Sequence, residues 1–124
     1  MATNYLTPGD VVQHTAAAAI SSGDVVVMGT RLGVALGDIA NGETGSVMVR
    51  GVFRLPALSA AVIAAGETLT WDISANSSAG AFDDDQATPA TGDLTGACAV
   101  AVAASGNGDT TVDVYLTGVP GTVN

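Results

Sequence analysis

The stretch SSGDVVVMGTRLGVALGD, Ser21–Asp38, packs glycine, acidic residues and a valine run into one short span. Two architectures use such a mixture: a phosphate-binding loop and a set of turns between strands. A P-loop needs Gly-Lys-Ser/Thr, and this chain has no lysine. A dinucleotide loop needs G-x-G-x-x-G opening a helix. Gly29, Gly33 and Gly37 are instead spaced by four, and no helix-forming run follows them. The stretch therefore reads as turn and strand in alternation. Ser21-Ser22-Gly23 is a turn, Asp24–Met28 a strand, and Arg31–Leu36 a second strand in which Gly33 lets backbones approach.

Working outward, Val11–Thr15 is a short strand and Asn41–Gly45 a turn, since Asn-Gly tolerates positive φ. Ser46–Leu55 reads as one longer strand, with Gly51 a bulge and Pro56 its stop. Ala57–Ala65 (ALSAAVIAA) is the one expected helix, favoured by alanine and leucine and ended by Gly66. Glu67–Asp72 alternates as a strand, with Leu69 and Trp71 on one side. Residues 74–93 show no clear period and read as a long loop excursion. Thr95–Ala104 is expected to place Cys98, Val100 and Val102 on one face. Thr111–Thr117 places Val112, Val114 and Leu116 on one face, with Asp113 and Tyr115 on the other. Ser105–Asp109 joins these two strands as a hairpin. The segments SSGDVVV (Ser21–Val27) and AAGETLT (Ala64–Thr70) echo each other as repeated turn chemistry.

The chain has 124 residues, which suits one domain, 1–124. It is 48% hydrophobic but only 4% aromatic, so its core is built from small side chains. Twelve acids face three arginines, Arg31, Arg50 and Arg54, for a net charge of -9. That balance argues against binding nucleic acid through its phosphates and against docking on anionic membranes. Cys98 is the only cysteine, so no intrachain disulfide forms, in keeping with a reducing compartment. Neither a signal peptide nor a membrane-spanning run is expected.

Residues for chemistry are sparse. His14 is the only histidine, and no G-x-S-x-G elbow accompanies it, so it reads as a strand residue and not a general base. One Cys and one His do not make a structural zinc site. Asp83-Asp84-Asp85 is the best cation candidate, but it lacks the alternation of a calcium loop and reads as a solvated acidic loop. Cys98 reads as a buried small hydrophobe and Trp71 as a core or interface anchor. No catalytic residue, cofactor or metal site is expected. The residues alone describe a β protein acting as a binding or structural module.

The order of pieces adds to this. A Ser-Gly-Asp turn feeds a valine strand at Ser22–Val27, and Gly-Val-Ala follows at Gly33–Ala35. Asp-Ile-Ala and a Gly-Glu-x-Gly turn fill Asp38–Gly45, and Gly-Val-Phe-x-Leu-Pro spans Gly51–Pro56. Trp71-Asp72 follows a Gly-acid turn, and Val-x-Val-x-Leu closes at Val112–Leu116. In this order and spacing, from about Tyr5 to Leu116, the chain resembles the small bacteriophage capsid cement, or decoration, proteins. One departure is Ala57, where a lysine would follow Leu-Pro.

The resemblance implies a small β-barrel or β-tulip-like domain with at most one short helix. It implies a protein made in the bacterial host cytoplasm that sits on the outside of a phage head. Its partner would be the major capsid protein, which it would clamp and stabilise as a homotrimer. The recombinase label that some members carry gains nothing from a chain with no ATP site and no basic surface. The N-terminal segment with Tyr5, Leu6 and Pro8 is the expected contact arm, adding a strand to a neighbour's sheet edge, against the plainer reading of a frayed terminus. Two alternatives stay open: another virion β module of the tail tube or head completion, and a carbohydrate- or receptor-binding module.

Overall fold

The computed structural model describes residues 9–84 and 88–124. Valine- and threonine-rich runs between turns form β1 (Val11–Thr15), β2 (Val25–Met28), β3 (Arg31–Ala35), β4 (Thr44–Met48) and β5 (Arg50–Pro56). There follow β6 (Thr70–Asp72), a single helical turn α1 (Ala75–Ser78), β7 (Ala81–Asp83), β8 (Leu94–Thr95), β9 (Ala99–Ala101), β10 (Thr111–Thr117) and β11 (Thr122–Val123). The strands pair into three sheets, ordered β1-β4-β3-β2, β5-β10-β9 and β11-β8-β6-β7. Isolated bridges between Thr68 and Val100 and between Ala57 and Phe82 tie the second sheet to the third. The described residues are mainly β, with a sheet that curls into a half-barrel, as expected of a small β domain.

The turns share one design. Ser21–Asp24, Ala40–Glu43, Ala64–Glu67, Ala90–Asp93 and Gly106–Asp109 each place glycine third and an acid fourth. The glycine has φ between 82° and 98° in all five, which an L side chain resists. In each, the acid's N–H donates to the first residue's carbonyl. Asp24, Glu67, Asp93 and Asp109 also accept the first residue's N–H on the carboxylate. The echo between Ser21–Val27 and Ala64–Thr70 is thus real turn chemistry, repeated more widely.

Four of these turns also clasp one residue of a distant segment. The glycine N–H donates to that residue's carbonyl, and its N–H donates back to the acid's carbonyl. Gly23 and Asp24 hold Ala35, Gly42 and Glu43 hold Ala16, Gly66 and Glu67 hold Ala101, and Gly92 and Asp93 hold Asn124. The three clasped alanines are each 2% exposed, so a small side chain sits where turn and strand meet.

Val49 is the corner of the fold. It is fully buried, and its N–H donates to the Asp10 carbonyl, outside either strand. Two residues on, Gly51 has φ 141°. The run Ser46–Leu55 is therefore not one strand. It leaves the first sheet as β4 and enters the second as β5. Gly33 does bring backbones together: a Cβ there would lie 2.4 Å from Val47 Cγ1. The main core joins Leu32 and Val34 to Leu55, Leu69, Trp71, Phe82, Leu94 and the inward side of β10, and a smaller cluster lies around Ile39 and Val47.

Three further expectations need correction. Ala57–Ala65 is not helical. Ala57 N–H donates to Thr110, Leu58 N–H to Phe82, and Ile63 exchanges both backbone bonds with Ser105. Bonds to distant strands replace those a helix would make, and tertiary pairing overrides alanine's propensity. Residues 74–93 are not a structureless excursion. They contain α1 and β7, and Phe82 is wholly buried opposite Trp71. Thr95–Ala104 is broken by a turn after Gly96, whose φ is 104°. Cys98 is buried in that turn, Val100 is half-buried, and Val102 is 50% exposed, while Ala99 and Ala101 face the core. The face expected for β10 holds: Val112, Val114 and Leu116 are buried.

Candidate interaction surface

On β5, residues alternate between the core and the outside, so Arg50, Val52 and Arg54 share the outer face while Phe53 and Leu55 pack inward. On β10 the same alternation turns Asp113 and Tyr115 outward. The antiparallel register sets Val52 opposite Tyr115 and Arg54 opposite Asp113, and on the far side sets Val100 of β9 opposite Tyr115. Val102 continues that row and is bonded to the Asp113 carbonyl. The outcome is one sheet face with an apolar middle and an arginine toward each end. Val52 is 60% exposed, the highest value on that face among the large hydrophobic residues.

Charge on this face is balanced locally. Arg54 Nε donates to Asp113 Oδ1 at 2.9 Å and Nη2 to Oδ2 at 3.4 Å, a two-pronged contact. That hydrogen-bonded fork holds the Asp113 carboxyl below the usual carboxylate range. Arg50 Nη2 donates to the Tyr115 hydroxyl at 3.4 Å, and Nη1 lies 3.7 Å from Asp10 Oδ1. An open depression of about 400 Å3 borders the face beside Arg54, between Ala103 and Asp113. A smaller one lies between Asp10, Arg50 and Tyr115.

The residues singled out for chemistry lie elsewhere. Asp84 Oδ2 accepts the Val62 N–H and Asp83 Oδ1 accepts the Asp84 N–H, so both carboxylates serve the backbone. Asp85 lies outside the described residues. Among the described residues no group of three metal-ligating side chains comes together. His14 is half-buried in β1, opposite Gly45. Cys98 is buried, and burial pushes its thiol up. Trp71 is a core residue, stacked edge-on against Phe82 with centroids 4.8 Å apart. Tyr5, Leu6 and Pro8, the expected contact arm, lie outside the described residues. Sequence reasoning missed the β5 half of the face. The signal was there: Arg50, Val52 and Arg54 stand at strand spacing with core residues between them.

No helix among the described residues is long and apolar enough to cross a membrane. The chain matches the profile of the phage cement protein family over residues 6–116. The chain belongs to the phage cement protein family. No curated protein matches it. As a phage cement protein it has a structural role and is associated with the virion. The resemblance read from the order of its turns and strands is this same family.

Proposed function

We propose that this cement protein binds the outer surface of a phage head and stabilises the major capsid protein lattice. The family match across residues 6–116 carries this reading. A protein that binds only the mature shell stabilises that shell by mass action. On the shell it acts as a homotrimer, with each trimer bridging several subunits and gaining avidity from the repeated contact. The chain works as one domain, 1–124. The segment with Tyr5, Leu6 and Pro8 extends to a neighbouring sheet edge. The carbohydrate-binding alternative has little support: Trp71 and Phe82 are buried, and Phe53 and Tyr115 are half-buried.

The test mixes purified protein with undecorated mature heads. The expected result is co-sedimentation and a higher temperature of head rupture. Heads that neither take up the protein nor gain heat resistance overturn the reading.

A further inference from the structure

The geometry points to the outer face of β5, β10 and β9 as the side that docks on a capsid subunit, at an apolar patch flanked by carboxylates. This rests on the shell-binding reading above.

The first support is charge. The chain carries -9, yet two of its three arginines stand on this one face. They are four residues apart on a strand, about 13 Å, with Val52 midway. Arg54 spends two donors on Asp113 and keeps the rest of its fork open, and its side chain is 73% exposed. Arg50 is 56% exposed, with one nitrogen on Tyr115 and another 3.7 Å from Asp10, which leaves its Nε and further N–H groups open. Guanidinium groups with unused donors call for carboxylates, and Val52, Val100 and Val102 call for apolar side chains between them.

The second support is size. Seven-residue strands about 3.4 Å per residue long, in a sheet with about 4.8 Å between strands, give a face on the order of 300 Å2. A stable free-standing complex needs about 800 Å2 per partner. The face is too small to hold two copies together in solution. It suits a weak contact repeated many times over a lattice, where avidity supplies the strength. That favours a shell subunit over a second copy of this chain.

The experiment compares wild type, Val52→Asp, Arg54→Glu and Leu36→Asp. Leu36 is a control, 46% exposed beyond the end of β3. Each is titrated onto undecorated heads, with melting temperature and solution mass measured alongside. Expected is a loss of head affinity of about tenfold or more for Val52→Asp and Arg54→Glu. Solution mass stays unchanged, and Val52→Asp melts like wild type. Arg54→Glu melts slightly lower because it loses its contact with Asp113. Leu36→Asp both melts and binds like wild type. Wild-type binding with Val52→Asp and Arg54→Glu equally tight overturns the face and leaves the shell-binding reading standing. A change in solution mass for the face variants makes it a self-interface and overturns the inference. Wild type that does not bind overturns both.

Discussion

Gly23 and Gly33 separate two demands that the fold places on glycine. At Gly23 φ is 87° and a Cβ would meet nothing within 4 Å, so Gly23→Ala probes backbone conformation alone. It should cost about 1 kcal/mol. At Gly33 the obstacle is Val47, and Gly33→Ala should cost about 2–3 kcal/mol through overpacking. Urea midpoints should fall further for Gly33→Ala, and the reverse order would sink this account. Asp93 offers a second test. It is 1% exposed, and its carboxylate takes the N–H groups of Ile73 and Ala90. Asp93→Ala should cost about 2–3 kcal/mol, because two donors lose their acceptor. Asp24→Ala, at an exposed turn, should cost clearly less in the same denaturation series. The Gly-acid pattern of these turns was legible in the sequence. Which residue each turn clasps was not, because Ala35, Ala16 and Ala101 are chosen by the path of the chain.

Among elements, β10 was the most legible. Its period-two run is long, and one side is fully buried. The failures were short or alanine-rich. β7 is only three residues long, too brief to show a period, and it sits among turn-forming residues. Ala57–Ala65 has helical composition, but its backbone is claimed by Thr110, Phe82 and Ser105. The β5–β10 face was half-read: Asp113 and Tyr115 were placed outward, but nothing local says that β5 lies beside them. That β7 belongs to the core can be tested with Phe82→Ala. The expected cost is about 3–5 kcal/mol, with Trp71 emission shifted to the red as its ring contact is lost. An unchanged melting curve would return residues 81–83 to the status of a surface loop.

For the whole molecule, the acid range is informative. Asp113 has its folded value lowered by Arg54, so their contact contributes above the unfolded carboxylate value of about 3.9. It is lost as pH falls through the lower folded value. The stability difference between wild type and Arg54→Gln should therefore be constant from about pH 5 upward and close below about pH 4. Denaturation curves at pH 3 and pH 7 check this, and a difference undiminished in acid would contradict it. The pairing of β5 with β10 has a further consequence in time. Its innermost register joins Pro56 to Thr111, so the span between them must close before the two strands meet. Such distant pairing places folding in the slow range, milliseconds to seconds, as for other β-rich chains. On the ribosome, β5 waits for β10 to emerge. Until then Arg50 and Arg54 ride on an unpaired strand, so an unfinished chain has no docking face to offer a shell.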